Sequence, residues 1–301
     1  MGAQSSYRDG AIEVVPSGDS LGAEIRGIDL TVGIDDGAFA AIERAWARHL
    51  VLVWHDQPLT TAQHLALGRR FGRLENMNHV ASATSGLPPE ILVIANEPEL
   101  NDAADAPPSY LKGFQNKYVQ WHSDNSYRDI PPKGSLLTVK ASPPSGGVTI
   151  FSNMYAAYEA LPSEMKERVD GRSVIHDPSL NSANVMRDGA TPPSDVSQGS
   201  GPRHPLVRVH PVTGQKALYL GRRPFSYICG YPVAESEALL DALWAHATDD
   251  QFIWHRSINR PGDILLWDNR CAMHARTSFA SSAPRLAHRV QIAGESLISS
   301  G

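Results

Sequence analysis

The stretch Trp121-His122-Ser123-Asp124 holds the only His-x-Asp or His-x-Glu in a chain with twelve histidines. In an extended segment alternate side chains share a face, so the imidazole and the carboxylate point the same way. One neutral nitrogen and one carboxylate oxygen are two ligands for a divalent metal. A second histidine from elsewhere would complete two His and one carboxylate on one face of an iron ion. The opposite positions then stay open, which suits oxygen activation.

His274 is the candidate for that second histidine. It follows the apolar run Ile264-Leu265-Leu266-Trp267, which Pro261-Gly262-Asp263 introduces by a turn. Just past a strand end, it would sit at a barrel mouth. Further on, Arg285, Ala287 and Arg289 share one face of a strand, and Leu286, His288 and Val290 share the other. If the arginine face points inward, two guanidiniums enter a low-dielectric cavity. Buried arginines are costly unless paired. Planar guanidinium grips carboxylate or sulfonate bidentately, so the inward arrangement points to two anionic small molecules. The opposite arrangement leaves both arginines solvated, and the strand alone leaves the choice open.

These residues need a scaffold. Short β-like runs recur along the chain: 12–15, 23–30, 51–55, 91–95, 135–140, 148–151, 206–210, 217–220, 252–257, 263–267 and 286–293. They are rich in Val, Ile, Leu and aromatics and bounded by Gly, Pro, Asn and Asp, the pattern of a sandwich or jelly roll. Helical periodicity predicts helices over 37–50, 60–71 and 234–248, buttressing one sheet from outside. A further helical stretch over 156–169 contains Pro162 and is expected to break in two. Two long polar stretches, 96–120 and 177–203, read as lid-like loops, with a plain surface insertion as the alternative for the second.

Composition narrows the classes. With 42% hydrophobic and 20% charged residues, the 301-residue chain is an ordinary globular one, expected to form a single domain over 1–301. A formal net charge of -5 gives no footprint for nucleic acid. No apolar stretch is long enough to span a bilayer, so no membrane partner is expected. Cys229 and Cys271 make no disulfide framework, and MGAQSSYRDG lacks a basic region followed by an apolar run. Both features favour a cytoplasmic location.

The pieces gain weight together. The segments WHSDNSY (121–127), PPSGGVTIFSNMYAAYEALP (143–162), HPLVRVHPVTGQKALYLG (204–221), PGDILLWDNRCAMHAR (261–276) and RLAHRVQIAG (285–294) follow one another in order. LGAEIRGIDL (21–30) and LVWHDQPLTTAQHLALGRRFG (52–72) precede them. Over nearly the whole chain this set resembles the taurine and 2,4-dichlorophenoxyacetate dioxygenase family, non-haem iron(II) enzymes that use 2-oxoglutarate. The resemblance implies a mainly β fold with flanking helices, a double-stranded β-helix or jelly roll with the metal inside one mouth.

It also implies roles. His122, Asp124 and His274 correspond to the iron ligands. Arg285 corresponds to the anchor of the distal carboxylate of 2-oxoglutarate, with Thr149 as its hydroxyl partner. Arg289 corresponds to the grip on the acid group of the substrate. Tyr118 stands where taurine enzymes carry Asn, and His79 is the nearest counterpart of the histidine that contacts taurine. Tyr118 and Phe225 could line a bulkier pocket, with ordinary packing as the alternative. The reaction implied is hydroxylation of a small anionic organic acid with O2, with decarboxylation of 2-oxoglutarate to succinate and possible C-O or C-S cleavage of the product. A homo-oligomer, dimer or tetramer, is implied too. A jelly-roll binding or sensor protein without turnover is the alternative. A zinc hydrolase would leave the paired arginines unexplained.

Overall fold

Val51-Leu52-Val53-Trp54 is apolar at every position because both faces of its strand are buried. Val51 and Val53 enter one core, and Leu52 and Trp54 enter another. The neighbouring strand does the same, with Leu265 and Trp267 on one side and Ile264 and Leu266 on the other. This two-sided burial explains why these strands read as continuous apolar runs instead of alternating ones.

The computed structural model describes residues 5–77, 87–96, 116–255 and 260–300. Among them, the larger sheet has eight strands in the order Tyr7–Asp9, Ile12–Pro16, Ala23–Arg26, Val51–Trp54, Ile264–Asp268, Gly134–Ala141, Leu286–Ile292 and Leu92–Ala95. A four-stranded sheet runs Ile253–Trp254, Thr149–Asn153, Ala272–Arg276 and Val119–His122. From residue 119 onward the chain passes repeatedly between the two sheets, the winding of a jelly roll. Phe151 of the smaller sheet packs with Leu137, Val139, Leu265 and Trp267 of the larger in one core.

The helices lie where capping and periodicity predict. Asp35 caps Asp36–His49, its Oδ1 accepting from Ala38 N at 2.7 Å. Thr60 and Gln63 form a capping box before Thr61–Phe71. Pro162 breaks the next stretch into Met154–Glu159 and Ser163–Val169. The expected buttressing of one sheet is half correct. Asp36–His49 and Thr61–Phe71 contribute to the core on the outer face of the larger sheet. Met154–Glu159 and Val233–Ala247 instead pack on each other and share the other hydrophobic cluster, where Leu239, Leu240 and Leu243 join Met154 and Ala157. The predicted 23–30 strand stops at Arg26, and Leu30–Val32 turns as a short 3-10 helix under the Asp29 cap. Gly134 permits a close approach, since a Cβ there would meet the Trp46 ring and the Trp267 carbonyl at under 3 Å.

His64 lies between Thr61–Phe71 and the larger sheet, 1% exposed. Nε2 faces the Leu136 carbonyl at 3.1 Å and Nδ1 faces the Thr138 hydroxyl at 3.2 Å. A neutral ring that donates from Nε2 and accepts at Nδ1 satisfies both. Burial pushes its pKa down from 6.5 to about 4. As pH falls, the unfolded chain takes up this proton first, so stability is present above pH 6.5 and is lost as pH falls towards 4. For a group this buried the loss is about 3 kcal/mol. The urea midpoint should be flat above pH 6.5 and decline between 6.5 and 4, and a flat midpoint across that window contradicts the assignment.

Candidate metal centre and its cavity

The turn that delivers His274, crossing from the larger sheet to the smaller, is built on Asp268. Its Oδ1 accepts from Arg270 N and Nε, and its Oδ2 from Arg270 Nη2. His210 accepts at Nδ1 from the Val212 and Thr213 amides, which leaves Nε2-H to donate to Asp268 Oδ2 at 3.0 Å. The chain reverses at 269–271 and re-enters the smaller sheet as Ala272–Arg276. His274 therefore lies within a strand, not past the end of one as expected. Its register partners are His122 on one side and Phe151 on the other.

Asp124 departs from expectation as well. The Val119–His122 strand ends at His122, and Asp124 sits in the turn that follows. Asn125 takes a left-handed conformation there, with φ of 48°. Asn269 holds the turn. Its Oδ1 accepts from Asp124 N at 2.7 Å, and its Nδ2 donates to Asp124 O and Pro132 O, each at 2.9 Å. The shared direction of the two side chains thus comes from a clamped turn and not from strand alternation.

The result is a convergence. Ligand atoms of His122, Asp124 and His274 all lie within 4.8 Å of one another. Asp124 Oδ1 is 3.8 Å from His122 Nε2 and 3.9 Å from His274 Nε2. His122 Nδ1-H donates to Gln120 O at 2.7 Å, which leaves the Nε2 lone pair free. Ser135 Oγ donates to Asp124 Oδ2 at 3.0 Å, and Arg289 Nη1 donates to both carboxylate oxygens at 2.9 Å. All three candidate ligands are buried.

The electrostatics keep the set ready for a cation. Burial and the neighbouring His274 hold His122 well below the ordinary imidazole range. Burial also pushes His274 down to about 4. Burial alone would raise the Asp124 carboxyl. Arg289 and the two imidazoles outweigh it and hold the group below the usual range. At neutral pH the site therefore offers two neutral imidazoles and a carboxylate, the protonation states a metal requires. The donor set fits a facial triad of two His and one carboxylate.

Beside the triad lies a cavity of about 80 Å³, lined by Ile94, Leu137, Thr149, Arg276, Arg285 and Arg289 among others. The arginine face of the Leu286–Ile292 strand points inward, despite a register shift between Leu286 and Ala287. Arg285 is 6% exposed, and its Nε has no hydrogen-bond partner among the described residues. Burial pushes it down to about 10. Such a cation fits a carboxylate ligand. Thr149 opens the Thr149–Asn153 strand and lines the same cavity.

Other expected contacts are not gathered here. Tyr118 is 37% exposed and is not among the residues that line the cavity. Phe225, half-buried with φ of 57°, does not line it either. His79 lies outside the described residues, as do residues 97–115 of the first long loop. The 177–203 segment is packed down, with Ser179, Asn181 and Ser182 buried and Ser182 O accepting from Gln120 N at 2.8 Å. Sequence reasoning missed Asn269 and Ser135. Asn269, beside the charged pair Asp268 and Arg270 at a strand end, carried the one usable signal.

Comparison with known proteins agrees with this geometry. The family model described as "Taurine catabolism dioxygenase TauD, TfdA family" matches residues 13–291. A "(S)-phenoxypropionate/alpha-ketoglutarate-dioxygenase" of Sphingobium herbicidovorans is 33% identical over 290 residues, covering 95% of this chain and 96% of that protein. A taurine dioxygenase from Burkholderia xenovorans has a solved structure 30% identical, with a TM-score of 0.75, over 96% of this chain and 93% of the other. The structure of AAD-2 in complex with Mn(II) and N-oxalylglycine is 28% identical, with a TM-score of 0.77, over 96% of this chain and 98% of the other.

Proposed function

This chain belongs to the taurine catabolism dioxygenase TauD, TfdA family and is a 2-oxoglutarate-dependent dioxygenase, and on that premise we propose a role for each residue of the site. His122, Asp124 and His274 hold iron(II). Arg285 and Thr149 bind the distal carboxylate of 2-oxoglutarate, and Arg289 orients the acid group of a small organic substrate. The observation that carries the reading is the convergence of two neutral buried imidazoles and one carboxylate beside a buried, unmatched guanidinium.

Iron(II) with 2-oxoglutarate and oxygen supplies the oxidising chemistry: one oxygen atom enters the substrate C-H bond as hydroxyl, the other enters succinate, and carbon dioxide leaves. The chain's own work is placement. Gln120 O fixes the His122 tautomer by accepting the Nδ1 proton. Asn269 and Ser135 hold Asp124 in one orientation. Arg285 draws the co-substrate's far end into the cavity, so its other end is directed at the triad. Arg289 presents the substrate carbon at a set distance, a gain of orientation. Leu137, Ile94 and Trp267 wall the cavity against water.

Small organic acids, carboxylates or sulfonates, are the substrate class we propose, by analogy with the phenoxypropionate and taurine in the names of the relative and the solved structure. Tyr118 and His79 stay as proposed substrate contacts on the family resemblance alone. The same resemblance supports one domain over 1–301 and a homodimer or homotetramer. A cytoplasmic location is supported by the free cysteines Cys229 and Cys271. No described helix is long and apolar enough to cross a membrane.

A panel of sulfonates, aryloxyalkanoates, alkyl sulfates and carboxylic acids, scored by succinate release, tests the class. Arg289→Ala should reduce substrate-dependent succinate release by about 30-fold or more, the effect of truncating one partner of a buried charge pair. Slow 2-oxoglutarate turnover without substrate should fall less. Equal loss of both would make Arg289 a support for Asp124 and not a substrate contact.

A further inference from the structure

Three arginines line the cavity beside the triad, and the roles above use two of them. The third, Arg276, ends the Ala272–Arg276 strand two residues after the ligand His274. Alternate residues of a strand share a face, and residues paired across neighbouring strands share it too. Arg276 pairs with Thr149 on one side and Val119 on the other, as His274 pairs with Phe151 and His122. The irregularity between His274 and Arg276 admits one extra residue in the Val119–His122 strand, so Val119 and His122 both keep to the inner side. Val119, His122, Thr149, His274 and Arg276 therefore form one inner face, and all five line the triad's own cavity.

Arg285 reaches the same cavity from the larger sheet, where Asn96 Oδ1 accepts its backbone N–H at 2.8 Å. The Gly146-Gly147 turn that leads into Thr149 packs beside it. A Cβ on Gly147, which has φ of 66°, would lie 3.5 Å from Arg285 Cδ and 3.2 Å from the Phe279 ring. The Arg276 guanidinium lies 5.2 Å from the centroid of that ring. Arg276 is 7% exposed, and its Nη2 donates to Lys117 O at 2.7 Å, which holds the guanidinium in place. Two buried guanidiniums, one from each sheet, thus stand beside the strand start that carries the Thr149 hydroxyl. Burial first, then the like charge of Arg285, pushes Arg276 down to about 9. Like charges held close in a low dielectric repel, and one anion between them relieves both.

We propose that Arg276 is a specificity-determining residue for the co-substrate: with Arg285 and Thr149 it holds the distal carboxylate of 2-oxoglutarate, and so selects 2-oxo acids that end in an anion. A carboxylate offers about four lone-pair sites, more than one bidentate fork fills. The threonine hydroxyl and a second guanidinium take the rest. Arg276 shares the face of His274, so a molecule gripped there stays beside the metal ligands. Two strand residues span about 6.6 Å, a reach that a five-carbon diacid can bridge. Arg289 remains with Asp124 and the acid group of the substrate. The inference rests on the iron and 2-oxoglutarate reading above.

The test uses the full chain with iron(II) under anaerobic conditions, read by calorimetric titration of 2-oxoglutarate and of 2-oxopentanoate. The second acid keeps the five carbons and the 2-oxo acid end, but a methyl group replaces the distal carboxylate. The wild type should bind 2-oxoglutarate more tightly, and equal affinity for the two overturns the proposal. Arg276→Gln should weaken 2-oxoglutarate by about 10- to 100-fold, the range for a hydrogen bond to a charged group, and leave 2-oxopentanoate within about twofold. Arg276→Lys keeps the charge without the fork and should recover part of the loss. It serves if Arg276→Gln does not fold, since it should still weaken 2-oxoglutarate by about threefold or more and spare 2-oxopentanoate. A folded variant that binds 2-oxoglutarate within about twofold of wild type overturns the proposal. Equal weakening of both acids assigns Arg276 to the fold or the metal centre and also overturns it. Failure of the wild type to bind 2-oxoglutarate with iron sinks the underlying reading instead.

Discussion

Asp124→Ala should reduce 2-oxoglutarate-dependent succinate formation to background. Asp124 is the one carboxylate within reach of both His122 Nε2 and His274 Nε2 among the described residues. Removing it leaves two neutral nitrogens and no charge to hold a divalent ion. Loss of a partner one shell out already costs about 10- to 100-fold in metal affinity or activity, so loss of a ligand should exceed about 10²-fold. Asp124→Asn is the sharper variant. It keeps the side chain's shape and the backbone clamp to Asn269 and removes only the charge. It should be nearly as inactive as the alanine variant, and a cooperative urea transition checks that it is folded although Arg289 has lost its charged partner. Residual turnover within about tenfold of wild type would move the carboxylate ligand elsewhere.

Arg285→Ala should raise the 2-oxoglutarate concentration required for half-maximal turnover by about 30- to 10³-fold, with a smaller fall in kcat at saturation. The side chain is 6% exposed and burial alone lowers its pKa to about 10, so the folded protein carries a cation poised for an anion. Replacement by Lys keeps the charge and loses the planar fork, so it should restore only part of the affinity. The readout is KM for 2-oxoglutarate at fixed substrate. An unchanged KM would place the co-substrate's far carboxylate elsewhere, with Arg276 the next candidate in the same cavity.

Much of this architecture is legible in the residues themselves. Cap residues such as Asp35 and the Thr60-Gln63 box mark helix starts, and Pro162 marks a break. The His122-x-Asp124 pair and the Arg285-x-x-x-Arg289 spacing are local patterns, and both reach the same site. The strand holding His274 was not legible, because Ala272-Met273-His274-Ala275-Arg276 has no β-branched residue and no apolar alternation. Its strand character comes from pairing with two neighbours. Asp124 looked like a strand residue because its turn is stabilised by Asn269, 145 positions away. Ser135, which donates to Asp124, gave no local signal either.

The choice of inward face on the last long strand was open on composition, and packing decides it. Val290 and Ile292 join the outer core with the first two helices, which turns Ala287 towards the inner core and Arg289 towards Asp124. The paired arginines are thus a consequence of which face of the larger sheet the helices cover.

The central claim is that His122, Asp124 and His274 hold an iron(II) that 2-oxoglutarate also binds. Anaerobic titration of iron(II) and 2-oxoglutarate into the wild-type chain, followed by visible absorption, tests it most directly. A weak charge-transfer band that needs both additions, and that is absent in Asp124→Asn, is the predicted result. A folded wild-type protein that gives no band under those conditions would contradict the account.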